Sequence, residues 1–290
     1  MLPNTIEASR ERELRPRSLA ISVFDLYAHE TDDWVSIDSL LKLMSALNVE
    51  QHTTRLTVSR LKKRGLLCAE RTGDTAGYRL SPLARDLLDE NGRRSFGRRR
   101  ADLGDGWVTV VFSVPESERE KRYTLRSRLA WLGFGTVASG VWIAPATLFD
   151  ETESMLRRHD LSEYVDLFVS DYRGAQPVER SVSTWWNLPG IADGYRDFTT
   201  DTDAIRQRAK SRKTMPDAEA FAGYVQSITR WRRIPLVDPG IPRPLLEKDW
   251  HAEYAEKILA EIETRLAAPA RRYAETIMQG AGHRETTSSA

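Results

Sequence analysis

The sequence predicts an α+β protein in three parts: a winged helix-turn-helix at the amino-terminal end, a ferredoxin-like domain in the centre, and a mainly helical region at the carboxy-terminal end. A basic helix, a glycine and a short hairpin at 51–80 predict the first part. Six elements in the order β-α-β-β-α-β at 107–170 predict the second. Helical spacing of aromatic residues from 192 onward predicts the third.

The composition limits the kinds of site that the chain can build. The 290 residues carry a formal net charge of only +1, so affinity for nucleic acid must come from local basic patches. A single cysteine, Cys68, excludes an internal disulfide and a multi-cysteine metal site, and we expect a reduced, buried thiol. The histidines lack the spacing of metal ligands, and no phosphate-binding or nucleophile motif occurs. We therefore expect no catalytic residues, no metal and no cofactor.

No targeting segment is evident in the sequence. The amino-terminal residues lack the apolar core of a secretory signal, and no run of about 18 apolar residues occurs that could span a bilayer. We expect a cytoplasmic protein with no membrane partner.

Residues 1–16 are polar and predict a flexible arm, and residues 17–91 predict the winged helix-turn-helix. Apolar residues at helical spacing predict a first helix at 18–29. Ser36 is a candidate N-cap for the second helix. A fourth helix begins at Pro82, because proline is favoured in the first turn of a helix.

The third helix, at 51–64, has two different faces. Its apolar face is formed by Thr54, Val58 and Leu61. Its opposite face is polar and basic and is formed by His52, Arg55, Ser59 and Lys62. A short basic face of this kind suits a helix laid against phosphates and base edges. The alternative is an ordinary surface helix with solvated cations.

Arg55 is the best candidate for reading a base, because its planar fork matches the O6 and N7 acceptors of guanine. The other candidates are Gln51, His52 and Ser59 for base edges, Arg60, Lys62 and Lys63 for phosphates, and Arg71 and Thr75 in the hairpin for the adjacent backbone or minor groove.

Residues 92–106 predict a basic linker rich in glycine and arginine. Five arginines and no acid lie between Gly92 and Ala101. A solvated linker and a segment that contacts phosphates are equally consistent with this composition.

Residues 107–174 predict the ferredoxin-like domain. Its first strand is dense in β-branched and aromatic residues and ends at Pro115. Two short strands meet at a turn at 139–140, and a last strand covers 164–170. Helices fill the two remaining intervals.

Residues 175–279 predict the helical region, and residues 280–290 a disordered tail. The pattern predicts helices at 192–208 and 216–234 and a last helix from 248. We expect Pro269 to break that last helix.

Two long motifs, LAWLGFGTVASGVWIAP at 129–145 and PLVDPGIPRPLLEKDW at 235–250, together with the winged helix, resemble the PaaX family of bacterial transcriptional regulators. The resemblance implies a repressor of aromatic-acid catabolic genes, commonly those for phenylacetate. It implies a homodimer on double-stranded operator DNA, joined through a Cas2-like central domain. It further implies release by phenylacetyl-CoA or another aromatic acyl-CoA bound to the carboxy-terminal region, and no enzymatic activity.

An aromatic acyl-CoA requires an apolar slot for its acyl group and arginines for its phosphates. The candidates in the third region are Trp185, Trp186, Ser227, Arg230 and Trp231. Three of these share a helical face at i, i+3 and i+4. The alternative is that the aromatics belong to the core.

The second functional hypothesis is a Cas2-like metal-dependent nuclease. Such a fold places an aspartate at the end of its first strand, where it holds a hard cation. Ser113 stands at about that place here, and the nearest acid, Glu116, follows a proline. The sequence therefore disfavours the nuclease.

Overall fold

A computed structural model describes residues 14–97, 99–211 and 215–279. The expected tail at 280–290 and all but the end of the expected arm lie outside these residues. The chain forms two compact units. The first unit comprises the chain up to Gly92, residues 196–232 and the chain from Glu253, and the second comprises residues 93–195 and 233–252.

The amino-terminal part of the first unit is a cluster of helices with a small antiparallel sheet. The helices are α1 (Pro16–Tyr27), α2 (Ile37–Ala46), α3 (Gln51–Lys63) and α4 (Pro82–Gly97), of which α4 belongs to this unit only up to Gly92. The strands are β1 (Trp34–Ser36), β2 (Leu67–Thr72) and β3 (Thr75–Leu80). The sheet order is β1-β3-β2, and the sequence patterns did not predict β1.

Local sequence explains where these elements begin and turn. The Ser36 hydroxyl accepts the Ser39 backbone N–H at 3.0 Å, which confirms Ser36 as the N-cap of α2. Gly77 lies directly under the Trp34 indole, and a Cβ at this position would approach the ring to 2.4 Å. Glycine is therefore required where β3 passes beneath Trp34.

The first unit also contains helices from the carboxy-terminal part of the chain. They are α8 (Leu188–Ser211) from Arg196 onward, α9 (Asp217–Trp231) and most of α10 (Ala252–Gln279). Helix α9 lies against both α1 and α2. The helical region expected at 175–279 is therefore shared between the two units.

The expectation that Pro269 breaks the last helix is wrong, because helix α10 runs without interruption through Pro269. A proline inside a helix costs about 3 kcal/mol, since it removes one hydrogen bond and crowds the preceding turn. Leu266, Ala270 and Ala274 on both sides of it are at most 1% exposed. The tertiary packing of this face holds the helix together where the local signal predicts a break.

The second unit is built on a four-stranded antiparallel sheet. Its elements are β4 (Trp107–Phe112), α5 (Arg119–Leu132), β5 (Gly135–Ala138), β6 (Val141–Pro145), α6 (Phe149–Arg158), β7 (Val165–Ser170) and α7 (Val178–Trp185). The sheet order is β5-β6-β4-β7, and its core includes Val108, Val110, Leu125 and Leu129. The predicted order of six elements is thus present.

The expected linker at 92–106 is neither fully extended nor simply solvated. Helix α4 continues to Gly97. Arg99 pairs with Asp102 at 2.9 Å, and Arg100 pairs with Asp238 at 2.9 Å. The partner of Arg100 is far away in sequence, so composition alone did not reveal the pair.

The expectation that the Cys68 thiol is buried is also wrong, because its side chain is exposed. It lies on β2, an edge strand whose residues after Leu67 are exposed or half-buried. Within the described ranges, no helix is long and apolar enough to cross a membrane.

Candidate nucleic-acid interface

Helix α3 presents a long polar face on the first unit. Its buried residues, which pack toward α1 and α2, are Thr54, Thr57, Val58 and Leu61. The side chains exposed along it are Gln51, His52, Arg55, Leu56, Ser59, Arg60, Lys62 and Lys63. All seven residues predicted on this helix are therefore on its outer side. Helical period alone was sufficient to place them.

The cations on this face are available for an external anion. Arg55, Arg60, Lys62 and Lys63 form no ion pair with any carboxylate in the described part of the chain. Three of them lie in the last turn, where the helix dipole also favours positive charge. That effect accounts for part of the charge at the carboxy-terminal end but not for Arg55 in the middle of the helix.

The hairpin between β2 and β3 carries the remaining two predicted residues. It turns at Gly73, whose φ of 58° is the left-handed conformation that glycine adopts readily. Arg71 is exposed and donates to the Asp74 carbonyl at 2.5 Å, so its guanidinium is held at the turn. Thr75 is half-buried.

The guanidinium of Arg79, at the base of the hairpin, is held by carboxylates of the protein itself. It donates to the Glu70 carboxylate at 2.6 Å and to Asp32. The hydrogen bond to Glu70 is the main cause of a raised pKa of Arg79, and the hydrogen bond to Asp32 is the next. The bond from Arg79 in turn lowers the pKa of Glu70. This arrangement ties β2 and β3 to the loop before β1.

The effector candidates Trp185 and Trp186 lie in the second unit, in a cluster of aromatic rings. Their centroids lie 5.8 and 6.0 Å from that of Trp107, respectively. Trp186 is 8% exposed, and its indole N–H donates to the Gly133 carbonyl at 2.8 Å. Trp186 therefore has the contacts of a core residue.

The other three effector candidates lie in the first unit, on α9. Ser227 is buried and donates to the Gly223 carbonyl of its own helix at 2.7 Å. Trp231 is buried with its ring 5.2 Å from that of Phe198. Arg230 pairs with Asp201 on α8 at 3.0 Å. The structure does not bring the five effector candidates into one cavity within either unit.

The end of β4 shows no cluster of carboxylates. Ser113 follows the strand, is exposed, and donates its backbone N–H to the Tyr164 carbonyl at 3.1 Å. Within residues 14–97, 99–211 and 215–279, no group of three histidine, cysteine or acidic side chains is placed to hold a metal ion.

One buried polar cluster in the second unit was not predicted from the sequence. Asp238 accepts hydrogen bonds from the Tyr195 hydroxyl at 2.8 Å and from Arg100 at 2.9 Å, and its other oxygen accepts the Gly240 N–H. It therefore fixes the loop that carries the long proline-rich motif.

Three family models of known proteins match consecutive parts of the chain. The family model for the central Cas2-like domain of PaaX protein matches residues 100–182, so the second unit contains a Cas2-like domain. The models for PaaX-like protein and for its C-terminal domain match residues 15–84 and 186–276. The chain belongs to the PaaX family.

Two individual relatives are similar over most of the chain. The transcriptional repressor PaaX of Escherichia coli strain K12 is 23% identical over 241 residues, which are 81% of this chain and 75% of that protein. The solved structure of the uncharacterized protein Rv0674 from Mycobacterium tuberculosis is 22% identical. It covers 91% of this chain and 100% of its own, with a TM-score of 0.62, and shares the fold.

Proposed function

We propose that this protein is a ligand-responsive transcriptional repressor, and that residues 17–91 are a winged helix-turn-helix whose helix α3 enters the major groove of operator DNA. The observation that carries the proposal is the outer face of α3, where a row of cations that form no ion pair with any described carboxylate stands opposite a buried face. Membership of a family that includes a transcriptional repressor supports the direction of regulation.

The contacts follow from side-chain chemistry. Arg55 donates two hydrogen bonds to a guanine, while Gln51, His52 and Ser59 face neighbouring base edges. Arg60, Lys62 and Lys63 meet phosphates and fix the orientation of the helix without reading sequence. Arg71 and Thr75 in the hairpin contact the adjacent backbone or the minor groove.

The repressor acts as a homodimer joined through the Cas2-like domain. Support comes from apolar side chains on and beside the edge strand β7, where Val111, Phe168 and Val169 are 37%, 54% and 57% exposed. Val111 and Phe168 share one face of the sheet, as the strand register requires. A two-fold dimer reads an inverted repeat with half-sites about 34 Å apart.

An acyl-CoA, with phenylacetyl-CoA as the first compound to test, releases the dimer from DNA. The packing of α9 on α1 and α2 supports this part, because a ligand that shifts α9 acts directly on the helices that position α3. Trp185 and Trp186 in the second unit, and separately Ser227, Arg230 and Trp231 on α9 in the first unit, remain our candidates for contacts to the effector. An acyl-CoA present at about 100 times its Kd should stabilise the protein by about 2.7 kcal/mol. If none of a panel of acyl-CoAs raises the Tm, the effector proposal is wrong.

DNA binding is tested by selecting bound duplexes from a random pool and measuring Kd against salt concentration. The double variant Lys62→Gln/Lys63→Gln should lower the slope of log K against log salt by about 1 for each phosphate that the helix no longer neutralises. The matched control, Arg119→Gln/Arg126→Gln, removes the same charge from exposed positions on α5. If the pool yields no enriched sequence, or if both variants reduce the slope equally, α3 is not the DNA-binding element.

A further inference from the structure

Leu56 is the unexpected residue on the proposed DNA-binding face. It is 45% exposed, whereas the other residues exposed on α3 are all polar or charged. The buried residues of α3 are Thr54, Thr57, Val58 and Leu61, so the exposed Leu56 is not part of the core. An exposed leucine side chain has no favourable interaction with water, and other good helix formers would stabilise the helix equally well at this position.

The position of Leu56 on the helix is central. His52, Leu56, Ser59 and Lys63 are spaced i, i+4, i+7 and i+11, so with 3.6 residues per turn they form one line along α3. This line lies opposite the buried line that contains Thr54 and Leu61. Arg55 lies to one side of the line and Arg60 to the other. The apolar side chain thus stands in the middle of the face, with cations on both flanks.

An apolar side chain between cations is complementary to the DNA major groove rather than to a protein surface. A protein partner that buries an apolar anchor requires a contiguous apolar patch around it, and the surroundings of Leu56 on α3 are polar. The DNA major groove has phosphates on both walls and, on its floor, the 5-methyl groups of thymines. Flanking cations and a central apolar group are complementary to those two features.

We propose that Leu56 contacts the 5-methyl group of a thymine in each operator half-site and sets a preference for thymine there. The inference rests on the proposed DNA binding by α3. Because Leu56 and Arg55 are adjacent on the helix, the thymine lies within about two base pairs of the guanine read by Arg55. Leu56 is then a specificity-determining residue that helical periodicity alone did not single out.

The test replaces single thymines by deoxyuridine, which lacks only the methyl group. The probe is the duplex that the wild-type protein enriches from a random pool. Substitution at the contacted thymine of a single half-site should weaken wild-type binding by about fourfold, the effect expected for one buried methyl group. The Leu56→Ala variant should bind the duplex with deoxyuridine at that position as tightly as it binds the duplex with thymine. Deoxyuridine at the other thymines serves as the control and should affect both proteins equally.

The outcomes separate this inference from the function on which it rests. If no duplex is enriched, DNA binding itself fails, and the inference fails with it. If the wild type binds but tolerates every deoxyuridine, or if Leu56→Ala is weakened by the same fourfold, DNA binding stands and the thymine contact is wrong. Because Leu56 is exposed, Leu56→Ala and Leu56→Gln should keep the Tm of the parent, and a normal Tm shows that an altered Kd reflects recognition.

Discussion

The ion pair between Asp25 on α1 and Arg232 at the end of α9 joins the carboxy-terminal helices to the helices that support α3. The two side chains of Arg232 and Asp25 are 16% and 17% exposed, and Thr229 donates to Ser22 at 2.8 Å one turn away. We predict that Asp25→Leu weakens the packing of α9 on α1. It leaves the Arg232 guanidinium without its carboxylate in a site where water reaches it poorly.

The size of the effect follows from the burial of Arg232. Burial lowers the pKa of Arg232 to about 10, because a poorly hydrated site disfavours the positive charge. Two of its nitrogens, Nε and Nη1, are buried and have no hydrogen-bond partner within the described residues. Removing one partner of a buried ion pair costs about 3–5 kcal/mol of stability. Because both side chains keep some exposure to water, we expect a cost of about 3 kcal/mol for this pair.

Hydrogen exchange measured peptide by peptide is the suitable assay, because it reports on α1 and α9 separately from the second unit. Asp25→Leu should lower the opening free energy of both helices by about 3 kcal/mol, a roughly 100-fold faster exchange. The double variant Asp25→Leu/Arg232→Met should recover most of that stability, because it removes the unpaired charge and keeps the volume. An unchanged exchange rate in the single variant, or no recovery in the double variant, would refute the reasoning.

Two further predictions concern the stability of the first unit. Hydrogen bonds from Lys210 and Arg206 on α8 lower the pKa of Glu261 on α10 from 4.5 to about 2, so this link stabilises the fold above pH about 4.5 and is lost as the pH falls toward 2. Urea unfolding should therefore show a fall in stability across that window which is smaller in Glu261→Gln; an identical fall in both proteins would contradict the link. Gly77→Ala forces a methyl group into the Trp34 ring and should cost about 1–3 kcal/mol, so a Tm equal to that of the parent would show that the ring moves freely.

The sequence predicted the faces of α3 and the six elements of the central domain because these features are local. Helical period fixes which side chains of α3 point outward, and short runs of β-branched and aromatic residues bounded by turn residues mark the strands of the central domain. The Ser36 cap was equally readable, since it depends on residues three apart.

Two features that the sequence patterns did not predict depend on tertiary contacts. The continuation of α10 through Pro269 depends on packing around Leu266 and Ala270. The ion pair of Arg100 depends on Asp238, 138 residues away. The effector candidates were chosen because they are aromatic or lie on one helix face, and side chains of that kind are also what a helical core requires. Helical spacing cannot distinguish a ligand slot from a core.

The central claim is that α3 reads operator bases, and the most direct measurement compares two selections from one random pool. The wild-type protein should enrich an inverted repeat that contains a guanine at one fixed position in each half-site. Arg55→Ala should enrich the same repeat with that position no longer specified, and should bind the wild-type site more weakly by about 1–3 kcal/mol per half-site. If Arg55→Ala enriches the same guanine and binds with the same Kd, α3 does not read the operator through Arg55, and the account fails at its centre.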